Sequence, residues 1–221
     1  MKFSKHKLGD LGKIITGKTP STSNLALWNG DIQFVTPEDL QRGKNILQTE
    51  RHLTQEGVKS VCGAFIPAES VCVSCIGNIG YVAKTIYPCV TNQQINTIVP
   101  GNEQSPDFLY YKLKSIRNYF KLREGNATTI PILSKSDFSN IEIHLPDLPT
   151  QLRIAAIIFN AHSEGCKADI VRIAHRPSIS VKRFSISSTV GIMPLTVFGA
   201  NLDNSYSKLE TDCFQFPDGI T

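Results

Sequence analysis

Gly12-Lys13-Ile14-Ile15-Thr16-Gly17-Lys18-Thr19 matches, in form, the phosphate-cradling pattern G-x-x-x-x-G-K-[ST]. That chemistry needs a pliant loop whose amides surround phosphate and which opens directly into a helix. Here the loop interior holds Ile14 and Ile15, and Pro20 follows at once. Proline biases Thr19 away from helical geometry and removes an amide donor. With no buried strand before Gly12, nucleotide binding is not expected there. Cys72-Val73-Ser74-Cys75 matches C-x-x-C, but on a strand positions 72 and 75 point to opposite faces and cannot share a metal. There is no second such pair, and the histidines at 6, 52, 144, 162 and 175 form no H-E-x-x-H. G-x-S-x-G, G-x-G-x-x-G and the Asn-Pro-Pro-aromatic signature of amino-methyl transfer are absent too. No catalytic residue, metal or cofactor is therefore expected of this chain.

A chain of 221 residues suits one domain of ordinary size plus an appendage. With 41% hydrophobic and 19% charged residues, it has material for a packed core and is not intrinsically disordered. No apolar run approaches the length of a membrane span. The basic start, Lys2 to Lys7, runs into Leu8-Gly9-Asp10-Leu11 rather than the apolar centre of a secretory signal. A cytoplasmic address without a membrane partner is expected, and with it six reduced, structural cysteines. The net charge of +4 lies wholly in residues 1–157, which hold 17 Lys and Arg against 13 Asp and Glu; the remainder balances at 6 and 6. Any basic surface able to meet phosphates is thus in the first 157 residues.

The elements that would carry such a surface are mostly strands. Leu11 to Thr16, Asp31 to Val35, Ser70 to Ile76, Tyr81 to Ile86 and Gln94 to Val99 read as short strands, with a hairpin turn at Gly77–Gly80. The spacing predicts an α+β fold with a strand-rich, highly curved sheet rather than βαβ units. A helix begins at Ser105-Pro106, with Ser105 as its cap. Phe108, Leu109, Leu113, Ile116 and Phe120 form its apolar stripe, and Lys112, Lys114, Arg117 and Lys121 lie mostly off it. That basic face is read as solvated, with contact to a phosphate backbone as the alternative. Ile141 to Leu145 reads as a further strand. Thr150 is the expected cap of a second helix bearing Ile154, Ile157, Ile158 and Ala161, a stripe that wants a partner. Gly165 interrupts that pattern and Pro177 ends it.

Several polar loops recur in a familiar order: Leu8-Gly9-Asp10, Gly17 to Ser21, Trp28-Asn29-Gly30-Asp31 through Thr36-Pro37-Glu38-Asp39-Leu40, Ile66-Pro67-Ala68, Ser74 to Gly80, Thr91 to Ile95, and Leu145 to Ala155. This order, over roughly residues 8–157, resembles a target recognition domain of the specificity (S) subunit of type I restriction-modification enzymes. The resemblance implies a DNA-binding domain over 1–145, part of a conserved spacer helix over 146–176, and an unassigned, irregular tail over 177–221. It also implies a subunit without a catalytic site that reads one half of a split double-stranded DNA target. The expected partners are methyltransferase (M) and restriction (R) subunits, with pairing to a second S half.

The sequence departs from the family pattern in holding one recognition domain, in the interrupted spacer helix, and in Thr150, where a glutamate is usual. A functional half-subunit and a truncated or frameshifted, assembly-deficient product are both compatible with that, as is a helix-mediated interaction module. Shared family pieces mark scaffold, so Gln93 and Gln94 are read as buried amides that satisfy loop backbone. The loops between those pieces supply the candidate DNA contacts: Lys18, Thr19 and Ser21; Arg42, Lys44 and Asn45; and Arg123, Asn126, Thr128 and Thr129. Gln41–Asn45 reads equally well as a plain solvated turn. Gln151, Ile154, Ile157, Ile158 and Ala161 are the expected subunit-interface residues.

Overall fold

Short runs rich in β-branched and apolar residues recur through the first hundred positions, and glycine, proline or asparagine interrupts them every few residues. In a computed structural model, described here for residues 2–122 and 131–163, this pattern yields short strands rather than long ones. They run β1 (Ser4–Lys7), β2 (Gly12–Thr16), β3 (Trp28–Val35), β4 (Asn45–Ile46) and β5 (Arg51–Leu53), then helix α1 (Gln55–Ser60). Next come β6 (Phe65–Ile66), β7 (Val71–Ser74), β8 (Val82–Thr85), β9 (Cys89–Thr91) and β10 (Ile95–Pro100). The chain then forms α2 (Pro106–Ser115), α3 (Arg117–Leu122), α4 (Lys135–Ser139), β11 (Glu142–Leu145) and α5 (Leu148–Ser163). The fold is α+β.

The strands divide among three sheets. The largest has the order β2-β10-β7-β8-β4, the second β5-β3-β9-β6, and β1 pairs with β11 alone. β7 shows how the sequence separates the layers. Val71, Val73 and Cys75 face a core that includes Phe108, Leu109 and Leu113 of α2 and Phe120 of α3. Cys72, one residue out of phase, faces Val35, Ile66 and Cys89 of the second sheet. The five-stranded sheet is therefore covered by helices on one face and by the second sheet on the other. The turn after β7 is the expected hairpin: Ser74 N donates to Tyr81 O and Gly80 N to Ser74 O, both at 2.9 Å. α1 lies against the turn Leu25–Leu27 that leads into β3 so closely that a Cβ at Gly57 would sit 2.2 Å from the Leu27 carbonyl oxygen.

The helix start at Ser105 is as expected, its Oγ accepting from Phe108 N at 3.3 Å. The start of α5 is not. Asp147 caps it, Oδ1 accepting from Thr150 N at 3.2 Å, so Thr150 lies within the first turn. The single helix expected through Phe120 breaks at Ile116 into α2 and α3, and the basic face that the two share is more engaged than a solvated face. Lys112 is buried, Lys114 donates to the Tyr110 hydroxyl, and Arg117 lies over the Tyr81 ring. Burial pushes the Lys112 ammonium below its ordinary pKa.

Candidate nucleic-acid interface

The loop between β2 and β3 is anchored at both ends. At its start, Gly17 N donates to Ile95 O and Lys18 N to Thr91 O, so two amides of the phosphate-loop-like stretch are held in the sheet. No amide cradle forms there. At its far end, Trp28 Nε1 donates to Ser21 O at 3.0 Å. Between these anchors Lys18 and Ser21 are exposed and Thr19 half-buried. Thr19 Oγ1 bonds to Gln93 Oε1, Lys18 Nζ reaches Cys62 O at 3.4 Å, and Ser21 pairs with Ser23. Gln93 is exposed, not a buried scaffold amide; Gln94 takes the scaffold role, bonded to Asn92. Lys18, Thr19 and Gln93 thus share one polar surface.

The second candidate loop behaves differently. Arg42 places Nη2 2.6 Å from Glu50 and Nη1 3.5 Å from the buried Asp39. Asp39 in turn accepts from Thr36 N and Thr36 Oγ1, which fixes the turn. Lys44 sits 2.8 Å from Asp107 of α2 and faces the rings of Tyr111, Phe159 and Tyr110. Both cations picked out by composition are therefore held by carboxylates within the fold, and Lys44 clamps its loop to α2 and α5. Asn45 alone of the three is exposed without such a partner, paired through its backbone in β4. Arg42→Ala is accordingly expected to lower the melting temperature by no more than a few degrees, read by differential scanning fluorimetry, since an exposed ion pair contributes about 0–1 kcal/mol. Arg123, Asn126, Thr128 and Thr129 lie outside the described residues.

The cysteines separate as the strand geometry requires. Cys72 and Cys75 face different cores, and burial pushes both thiols up to about 12. Cys89 is also raised well above the ordinary value by burial, whereas Cys62 is exposed. Among the described residues no three His, Cys, Asp or Glu side chains converge on a metal position. Iodoacetamide at neutral pH is expected to label Cys62 in the native protein and to reach Cys72, Cys75 and Cys89 only after unfolding. Peptide mass spectrometry checks this order; early labelling of Cys72 would contradict the buried β7.

Comparison with known proteins decides the lineage. A family model described as "Type I restriction modification DNA specificity domain" matches residues 2–165. The chain belongs to that family. The HindI specificity subunit of Haemophilus influenzae is 44% identical over 141 residues, which cover 63% of this chain and 31% of that protein. The MjaIX specificity subunit of Methanocaldococcus jannaschii is 33% identical over 156 residues, covering 69% of this chain and 36% of that protein. The chain therefore spans about a third of the length of these curated relatives. In fold, it is similar to the HsdS subunit from Thermoanaerobacter tengcongensis, with a TM-score of 0.57 and 17% identity over 78% of this chain and 41% of that one. A chain from a structure of type I R-M complex assembly gives a TM-score of 0.58 at 19% identity, over 78% of this chain and 40% of that one.

Within this specificity-domain chain, α5 presents a different face from the one its sequence stripe implied. Gln151 is only 2% exposed, and Ile158 is buried with Ala155. Ile154 packs against the core beneath α2 and α3. These residues belong to the domain's own interior, because α5 uses that stripe to close the core. Leu152, Ala156 and Phe159 instead form the exposed apolar line at i, i+4 and i+7, with Leu152 54% and Phe159 56% exposed. Ile157 is 49% exposed at the opposite margin of the helix. The side chain of Ala161 lies outside the described residues. No helix among the described residues is long and apolar enough to cross a membrane.

Proposed function

We propose that this chain is the recognition part of a type I restriction-modification specificity subunit. It binds double-stranded DNA, reads one half of a split target, and recruits methyltransferase and restriction subunits that perform the chemistry. The observation that carries this reading is the family match over residues 2–165, joined to 44% identity with a specificity subunit. The polar surface of Lys18, Thr19, Ser21 and Gln93 supports it, offering donors and acceptors on loops held by the sheet. Phosphate contacts would set register and loop side chains would give sequence preference. One half-site gives modest affinity, with binding falling steeply as salt rises. Residues 1–145 are taken as the recognition part and the following segment as the start of the spacer, its described helix α5 (Leu148–Ser163) closing the recognition core. Anisotropy with a labelled 30-base-pair duplex, titrated with salt, tests the DNA reading. Binding that does not weaken with salt, or no binding near 50 mM salt, would sink it.

The exposed line of Leu152, Ala156 and Phe159 supports docking of α5 against another helix, either of a methyltransferase subunit or of a second S half. Leu152→Asp is expected to weaken co-purification with a cognate methyltransferase subunit at least fivefold while leaving the melting temperature within a few degrees. Ile154→Asp should instead lower the melting temperature, because that side chain is packed inside. Sizing of the protein alone separates self-pairing from capture by another subunit.

A further inference from the structure

Arg51 opens β5 directly opposite Phe34 of β3. Its side chain is exposed, and its guanidinium carbon lies 3.8 Å from the centroid of the Trp28 ring and 5.5 Å from that of Phe34. The two rings are themselves locked edge to face at 5.1 Å and 87°. Trp28 is buried and cannot swing, since its Nε1 is bonded to Ser21 O. Arg51 thus rests on a fixed aromatic platform, on the same tryptophan that anchors the polar loop of Ser21 and Ser23. Unlike Arg42, Lys44 and Lys84, it has no acidic partner among the described residues. A guanidinium stacked on an aromatic face keeps its planar fork pre-oriented, so less freedom is lost when it bonds two acceptors at once.

We infer that Arg51, held over the Trp28 ring, is a DNA-contacting fork of this chain, and that Trp28 is its positioning residue. The inference rests on the DNA-binding reading above and names a residue for it. The ligand chemistry is a pair of adjacent acceptors on duplex DNA, offered by the O6 and N7 edge of guanine or by two phosphate oxygens. An arginine that merely covered Trp28 would do so through its methylene stem and the flat of its head. Methionine keeps that cover without the fork, and lysine keeps the charge without it.

The test uses the full chain, a pool of 30-base-pair duplexes with randomised centres, and the variants Arg51→Lys and Arg51→Met. Both are expected to melt within a few degrees of the parent and to bind the pool about tenfold more weakly. If the acceptors are a guanine edge, duplexes enriched by the parent carry a guanine that Arg51→Lys no longer selects. If they are phosphate oxygens, the enriched sequence stays the same. The affinity of Arg51→Met then falls uniformly, and its log–log salt slope becomes shallower by about one. Trp28→Leu with Arg51 retained should lower affinity as Arg51→Lys does, and adding Arg51→Lys to it should cost little more. Parent-like affinity and selection by both Arg51 variants would overturn the inference while leaving the DNA reading intact. A parent that enriches no sequence and binds no duplex would overturn both.

Discussion

Gln151→Leu is expected to lower the melting temperature of the protein by roughly 5–15 °C. The amide lies at the start of α5 with 2% of its surface exposed, and every polar atom it carries is used. Oε1 accepts from Ser105 N at 3.0 Å, while Nε2 donates to Pro146 O at 2.9 Å and to Gln104 Oε1 at 3.3 Å. One side chain therefore ties the cap of α2 to the entry of α5. Leucine has similar bulk but leaves the Ser105 amide and the Pro146 carbonyl buried without partners. Each such group costs about 1–3 kcal/mol, giving about 2–6 kcal/mol together. In a domain of this size, 1 kcal/mol moves the midpoint by about 2–4 °C. Gln151→Glu should be comparably harmful, since a carboxylate cannot donate to Pro146 O or Gln104 Oε1. Were Gln151 an interface residue, as its position in the helix pattern suggests, Leu would leave the melting temperature unchanged and remove only a partner. Differential scanning fluorimetry separates these outcomes.

Gln151 also marks where sequence pattern stops being informative. The strands around Ile14, Phe34, Val73 and Ile98 are legible because alternation and turn residues act locally. So is the Ser105-Pro106 helix start, which needs only its own first turn. The pairing of β1 with β11 is not legible: it joins Ser4–Lys7 to Glu142–Leu145 across almost the whole described chain, and β1 is a run of polar residues with no apolar period. The same holds for the interface of α5. Its helical spacing is plain, but spacing cannot say which of two apolar lines faces the domain. Packing gives Ile154, Ala155 and Ile158 to the core and leaves Leu152 and Phe159 outside. Among the candidate DNA contacts, composition drew attention to Arg42 and Lys44 because they flank a glycine. It passed over Arg51, which sits in an ordinary strand start. A usable signal existed in the chain's single tryptophan at Trp28, since a buried indole near a sheet edge calls for a covering side chain.

The pairing of Lys44 with Asp107 leads to the second large effect. Asp107, in the first turn of α2, lies 2.8 Å from Lys44 Nζ and 3.1 Å from Lys84 Nζ, and Lys84 also pairs with Glu69 at 2.8 Å. Burial pushes the Asp107 carboxyl up, but the two ammonium groups outweigh it and hold the carboxyl below its ordinary value of 3.8. Burial likewise lowers Lys84, and Glu69 and Asp107 more than reverse it, so Lys84 ends above its ordinary 10.5. A lowered carboxylate contributes stability that is complete above its unfolded pKa and disappears as pH falls through the folded value. A raised ammonium contributes stability that is complete below its unfolded pKa and disappears as pH rises through the folded value. The cluster is therefore at full strength between about pH 5 and pH 9. Asp107→Ala removes the hub and leaves the nearly buried Lys84 with Glu69 alone. Losing one partner of a buried pair costs about 3–5 kcal/mol and of an exposed pair under about 1. For this half-exposed carboxylate the expected loss is about 2 kcal/mol at pH 7. The difference between parent and Asp107→Ala should narrow as pH falls from the ordinary value of 3.8 through the lower folded-state value, where the folded carboxyl takes up its proton. Urea unfolding at pH 7 and pH 3 measures both values. An equal difference at the two pH values would mean that Asp107 acts through packing or helix capping rather than through its charge. A loss confined to neutral pH would establish that the clamp from the Gln41–Asn45 loop to α2 and α5 is electrostatic.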